Sequence, residues 1–363
     1  MSSAAARLRP IGAREEPRVS VIVPVRNEER YIATCLAELL KQDYPSEKVE
    51  IIVVDGLSED RTRGIVENIL RECAGPGEPA GAARPAVRLI DDPKQQRPSA
   101  LNAGIRAAEG DVIMRVDARS VVPKDYVRRC VDTLRRTGAD NVGGVQEPVA
   151  GAPMQEAIGM AMSHPFGVGD AQFRIGRRSG FVDTVYLGSF RREVFDRVGM
   201  FDETIPVLSE DSDINQRIRE SGGTVYLNTE IRAYYYPRER LADLFGLYFR
   251  YGWARAGNLL KHGKLTAWRQ LAPPLFLTGL AALGLLAVVD RAFVVVFGVV
   301  VGIYILCDVA VSGWLACSRS KWGAWPRLVA VFPCVHVAWA LGFINRLIDG
   351  LDQDLVRPAE KVK

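Results

Sequence analysis

The sequence has no surplus of charge of either sign: 47 Lys and Arg face 43 Asp and Glu over 363 residues, a formal net charge of +4. No long Lys/Arg stripe is left to neutralise a phosphate backbone, which argues against a nucleic-acid binder. The six cysteines, Cys35, Cys73, Cys130, Cys307, Cys317 and Cys334, show no C-x-x-C spacing. Free thiols in a reducing compartment are the expectation, and a chain of this length needs no disulfide framework. The stretch Met1–Arg18 contains Arg7, Arg9, Arg14 and Arg18 but no apolar h-region, so no secretory signal is expected there and residues 1–268 are placed in the cytosol. Neither G-x-G-x-x-G nor G-x-x-x-x-G-K-[ST] follows the first apolar run, which excludes a dinucleotide fingerprint and a P-loop.

Charge is also scarce in one long stretch. Between Leu271 and Gly350 only eight of eighty residues are charged. Leu271–Val289 and Leu328–Asn345 carry none, and Ala292–Ser318 carries only Asp308. A bilayer core takes roughly 20 residues, so three such runs predict three transmembrane helices, at about 271–289, 292–318 and 327–346. The basic break with Arg319, Lys321 and Arg327 is placed on the cytosolic side, and the break at Asp290 and Arg291 on the other, by the positive-inside rule. The expected location is the inner (plasma) membrane, multi-pass. Asp308 would sit near the bilayer middle, where a carboxylate needs a partner, and His336 is the nearest candidate. Before these runs, Leu241–His262 mixes Phe245, Leu247, Tyr248, Phe249 and Trp253 with Arg250, Arg255 and Lys261, a composition suited either to a helix on the membrane surface or to one facing a core.

The first half alternates strand and helix patterns. Val19–Val25 (VSVIVPV) is a continuous β-branched run of the kind buried on both faces. An amphipathic stretch with Ile32, Leu36, Leu39 and Leu40 follows, then a second apolar run, Val49–Val54, and a helical pattern from Asp60 to Arg71. After a Gly/Pro/Ala-rich loop, Cys73–Pro85, come a short strand at Val87–Ile90, a helix at Ser99–Ala108 and a strand at Asp111–Val116. This order predicts an α/β fold on a mostly parallel sheet. In such sheets ligands sit beyond the carboxyl ends of the strands. Those ends carry Pro24–Glu28, Asp55–Asp60 and Asp117–Ser120.

In order, VSVIVPVRNEE, IIVVDGLSEDRT, RVDARS and SEDSDINQRIRESGG resemble the motifs of family 2 glycosyltransferases over roughly residues 18–260. GFVDTVYLGSFRREVFDRVGMFDE and FRYGWARAGNLLKH look more narrowly like the membrane-anchored glucosyltransferase type of succinoglycan biosynthesis. The resemblance implies a nucleotide-sugar-binding GT-A fold at 18–240, after a flexible segment 1–17. An interfacial segment 241–268, a membrane region 269–350 and a polar tail 351–363 complete the expected organisation.

It also implies roles. Pro24, Val25, Arg26, Asn27, Glu28 and Asp55 would hold the nucleoside, the alternative for Asp55 being a turn cap; Arg97 would lie near the nucleotide. Asp117 stands at the first carboxylate of a D-x-D signature that holds Mg²⁺ or Mn²⁺ on the donor diphosphate. The second position is Arg119, so metal binding rests on Asp117 and the donor's own oxygens, or Arg119 itself screens the phosphate. Asp211 matches the general base of an inverting transfer, with Glu210 beside it; a capping cluster before a helix at Ile214–Ser221 is the plainer reading of these acids. His164, Asp183, Arg250 and Trp253 are acceptor-side candidates. Only Arg250 fits the (Q/R)-x-x-R-W motif of processive relatives, which argues against processive synthesis. The implied partners are a nucleotide-sugar donor, a UDP-sugar by preference, a lipid-linked saccharide acceptor and membrane lipid. The competing readings are a polyprenyl-phosphate glycosyltransferase and a non-catalytic membrane scaffold.

Overall fold

The computed structural model describes residues 16–74, 84–204, 210–264 and 268–356, the last seven as backbone only. The N-terminal segment up to residue 15, most of the Cys73–Pro85 loop, Ser209 and the tail from residue 357 lie outside the described residues. The chain runs β1 (Val19–Val25), α1 (Ile32–Leu39), β2 (Val49–Asp55), α2 (Thr62–Ala74), β3 (Ala86–Asp91), α3 (Arg97–Ala107), β4 (Val112–Arg115), β5 (Ser120–Val121), α4 (Tyr126–Thr137) and β6 (Asn141–Pro148). It continues through α5 (Pro153–Met162), α6 (Pro165–Val168), α7 (Gln172–Ile175), β7 (Gly180–Phe181), β8 (Tyr186–Arg191), α8 (Glu193–Val198), α9 (Glu210–Glu220) and β9 (Val225–Tyr235). Four long helices follow: α10 (Leu241–His262), α11 (Ala272–Val289), α12 (Arg291–Ser318) and α13 (Trp325–Val356).

These elements form two compact units. The first comprises the chain up to Gln146, Gly176–Glu203 and Ile214–Tyr234. The sheet has the order β3-β2-β1-β4-β8-β6-β9-β5, with β7 paired to β9. Its parallel half is β3-β2-β1-β4, where Val19 lies opposite Val49 on one side and Val112 on the other. The β-branched run of β1 is covered on both faces, with Val21, Ile22 and Val23 at most 1 % exposed, as central parallel strands require. Beyond β4 the sheet turns antiparallel through β8 and β6. Cys35 and Cys130 are fully buried here, and burial pushes each thiol up to about 12, so both behave as small core hydrophobes.

The second unit comprises Glu147–Ile175, Thr204–Asp213 and the chain from Tyr235 on. Residues 18–240 are thus shared between the two units, because α5 buries Ala157 and Ile158 in a core with Leu244 and Tyr248 of α10 and Leu328, Val331 and Phe332 of α13. Among the described residues, three helices in this unit are long and apolar enough to cross a membrane, with mean hydropathies of 2.0, 2.7 and 1.8. The first two spans are only 6 % buried and the third 44 %, so α13 is the helix the unit is built around. Asp308 is not paired with His336: its Oδ1 accepts from Ser312 Oγ at 3.2 Å. His336 Nε2 faces the Phe166 carbonyl at 2.6 Å and its Nδ1 faces the Tyr304 hydroxyl (Oη) at 2.8 Å. Tyr304, one helical turn before Asp308 on α12, and the Phe166 carbonyl engage both ring nitrogens of His336, which leaves neither for Asp308.

Helix α10 lies in close contact with α13 along its length. Gly252 leaves no room for a Cβ against the Trp339 carbonyl, and Gly342 none against the Phe249 carbonyl, so each helix offers bare backbone where the other crosses. Of the two readings of Leu241–His262, the residues Leu244, Tyr248, Gly252, Ala254, Ala256 and Asn258 are buried, which makes this stripe core-facing. Gly342→Ala should therefore destabilise the unit by about 1–3 kcal/mol through overpacking, read as a lowered unfolding midpoint in detergent. An unchanged midpoint would contradict the close crossing.

Candidate active site

The carboxyl ends of β1, β2 and β3 open into loops that each hold a non-glycine residue in the left-handed region: Asn27 (φ 53°), Leu57 (φ 54°) and Gln95 (φ 55°). Such positions cost about 1–3 kcal/mol each and persist only where the surroundings hold them. Here the first two loops are stitched together. Asn27 N–H donates to Ser58 Oγ at 3.0 Å, Glu59 N–H to Asn27 Oδ1 at 2.8 Å, and Glu28 N–H to Thr62 Oγ1 at 2.8 Å. Asp55, completely buried, accepts from Ser58 N–H at 3.1 Å and Ser58 Oγ at 2.5 Å. Asp55 thus does cap its own turn, and the capping fixes the carboxylate at the end of β2. Ser58, Asp60 and Thr62 build this platform, a role hidden in the D-G-L-S-E-D-R-T run until the loops are seen together.

At the end of β4 the chain places three charged groups within five residues. Arg115 and Asp117 share one side of an extended segment, as i and i+2 do, and the guanidinium grips the carboxylate with both arms: Nε to Oδ1 at 2.7 Å and Nη2 to Oδ2 at 3.1 Å. Burial alone would raise the Asp117 carboxyl, but the charges of Arg115 and Arg97 and the Arg115 hydrogen bond outweigh it and hold it below the ordinary value. Arg97 opens α3. Arg119 turns to the first loop, donating from Nε to Glu28 Oε1 at 2.8 Å and lying 5.0 Å over the Tyr31 ring. The other Glu28 oxygen is buried without a hydrogen bond. Asp183 lies half-buried between β7 and β8 in the same unit.

Asp117 is an ionised oxygen donor with lone pairs beyond the two used by Arg115. That fits a hard divalent cation taken chiefly by donor phosphates and water, with one protein carboxylate. Among the described residues no group of three or more His, Cys, Asp or Glu side chains forms a protein cage for a metal, so a cation here would depend on the donor.

The second unit carries the remaining candidates. The acidic cluster does not precede its helix but begins it: Glu210, Asp211 and Asp213 all lie in the first turn of α9, where the helix dipole favours carboxylates. Glu210 and Asp213 are buried and Asp211 half-buried. His164 caps α6, its Nδ1 accepting from Phe166 N–H at 3.2 Å, and its ring packs 5.7 Å from Trp314 and 6.3 Å from Phe332, a packing role. Arg250 is exposed. Trp253 is engaged by α13: Arg346 lies 4.5 Å over its ring and its Nε1 donates to Asp349 at 3.4 Å.

Comparison with known proteins shows the family. Glycosyl transferase family 2 matches residues 20–199. The chain is 30% identical to the succinoglycan biosynthesis protein ExoA of Rhizobium meliloti (strain 1021) over 332 residues, 91% of this chain and 94% of that protein. It is 24% identical over 250 residues to a dolichyl N-acetyl-alpha-D-glucosaminyl phosphate 3-beta-D-2,3-diacetamido-2,3-dideoxy-beta-D-glucuronosyltransferase of Methanococcus voltae, covering 68% of this chain and 74% of that one. The fold is similar to that of a mannosyltransferase from Pyrobaculum calidifontis solved in complex with GDP-Man and Mn²⁺, with a TM-score of 0.62 at 21% identity over 93% of this chain and 88% of that one. The chain belongs to glycosyltransferase family 2, and its mixed sheet with flanking helices is the GT-A fold. It is a glycosyltransferase.

A carboxyl held below its ordinary value stabilises the folded state above about pH 4, and this contribution is lost as pH falls through the lowered value. Arg115→Met, which strands the Asp117 charge, should cost about 3–5 kcal/mol near neutrality and much less in acid. Unfolding midpoints measured against pH check this; an equal loss at every pH would contradict the pairing.

Proposed function

We propose that this protein is an inverting hexosyltransferase that moves a hexose from a nucleotide sugar, a UDP-hexose by preference, to a lipid-linked saccharide in exopolysaccharide or cell-surface glycan synthesis. The observation that carries the reading is Asp211, half-buried next to buried Glu210 in the first turn of α9, in a chain of this family. Asp211 takes the proton of the acceptor hydroxyl; the freed oxygen bonds to the anomeric carbon from the face opposite the nucleotide. The bond from that carbon to the diphosphate oxygen breaks, and the departing nucleoside diphosphate keeps the electron pair. A hydroxyl is a weak nucleophile until its proton is shared, so a positioned carboxylate is the part the chemistry needs.

The donor end rests on the first unit. Asp55 and the Pro24–Glu28 loop receive the nucleoside, and Asp117 and Arg97 stand at the diphosphate end. Asp117 would be the protein ligand to Mg²⁺ or Mn²⁺, and such a cation would supply positive charge against the leaving group when bound. Arg119 is spoken for by Glu28 and braces the loop rather than replacing the cation. The acceptor's lipid suits a protein whose C-terminal region holds three membrane-length apolar helices, read as a multi-pass inner-membrane anchor with the transferase in the cytosol.

Asp211→Asn should lower turnover by roughly 10²–10⁴ with donor affinity nearly unchanged, measured as labelled hexose transferred into lipid extract. A tenfold weaker donor affinity with normal saturated turnover would reject the base role. Asp117→Ala should weaken donor binding and its response to Mg²⁺ or Mn²⁺ together. Full activity of the native enzyme in excess chelator would reject the metal.

A further inference from the structure

The FRYGWARAGNLLKH segment ends α10 with Lys261 and His262, and the transfer step uses neither. Both reach the same oxygen of Asp213: Lys261 Nζ lies 2.7 Å and His262 Nε2 2.9 Å from Oδ1. The Asp213 side chain is wholly buried, that of His262 is 9 % exposed and that of Lys261 37 %. A buried carboxylate survives as a charge only when paired, and a His nitrogen this close to a carboxylate oxygen is the one that carries the proton. Asp213 is two residues beyond Asp211 in the same turn.

We propose that Lys261 and His262 are positioning residues for Asp211, clamping the first turn of α9 through Asp213. Two observations give the clamp a direction. Glu210, Asp211 and Asp213 crowd three carboxylates into four residues; the Lys261 ammonium offsets the charge of Asp213 and with it the repulsion between Asp213 and Glu210, which are neighbours on the helix at i and i+3. The partners also belong to a helix that is itself fixed. Gly252 and Gly342 bring α10 against α13, and Trp253 is held by Arg346 and Asp349 of α13. Lys261 and His262 lie in the last turn of α10, at its negative end, and Asp213 in the first turn of α9, at its positive end, so the Lys261 ammonium and the Asp213 carboxylate each suit the helix end they occupy. The turn that carries the base is thereby held to the third membrane-length helix through α10. Displacing a reacting group by about 1 Å costs about 10²-fold in rate, and that is the scale at which a lost clamp shows.

This inference rests on the base role of Asp211, and the experiment separates the two. The full-length enzyme in detergent is assayed with whichever of a panel of radiolabelled UDP- and GDP-hexoses transfers label into membrane lipid extract. Lys261→Met with His262→Gln should lower kcat about 10–100-fold while the donor KM stays within twofold, and Lys261→Arg should retain kcat within threefold. Adding Asp213→Asn removes the stranded charge; this triple variant should regain the native unfolding midpoint and keep the low kcat. A normal kcat in the folded double variant overturns the proposal. So does a kcat that recovers together with the midpoint in the triple variant, or a triple variant that does not fold, since each makes the cluster a plain structural requirement. If Asp211→Asn itself turns over normally, the base role fails instead.

Discussion

Asp55 and Asp213 are wholly buried and Asp117 and Glu28 are largely so, and a carboxylate removed from water needs a partner that offsets several kcal/mol of lost hydration. The two-armed grip of Arg115 on Asp117 is the interaction on which the proposed donor end depends. It fixes the carboxylate's direction, keeps it ionised, and leaves lone pairs that a donor-bound cation would use. The same rule explains Asp55 on Ser58, Glu28 on Arg119, and Asp213 on Lys261 and His262. Within each unit these acids are already held in place.

That view gives the altered D-x-D signature a physical meaning. Arg119 brings a positive charge where the family motif has a second carboxylate, yet its guanidinium is turned to Glu28 and Tyr31. The substitution ties the loop after β1 to the loop after β4 and leaves Asp117 as the one carboxylate of the signature.

The parallel half of the sheet was legible in the sequence because β1 and β2 are unbroken apolar runs, which only doubly covered strands need. The antiparallel half was not: β6 (NVGGVQEP) and β8 (YLGSFR) carry Gly, Gln and Ser at positions that long-range packing buries. Asp117, Asp55 and Asp211 stood out through their motifs. Arg115 did not, although its spacing of two from Asp117 was a signal that the side chains share a face. Lys261 and His262 lie 48 and 49 residues from Asp213, and only the fold brings them to one oxygen. Asp308 and His336 show the converse error, since two rare polar groups in apolar helices each found a nearer partner.

The central claim is a single displacement at the anomeric carbon driven by Asp211. Proton NMR of the anomeric signal in the newly formed glycoside, from a donor of known α configuration, tests it most directly. The β-linked product is expected. An α-linked product would require two displacements or a front-face route, and would contradict the assignment of Asp211 as a base acting on the acceptor alone.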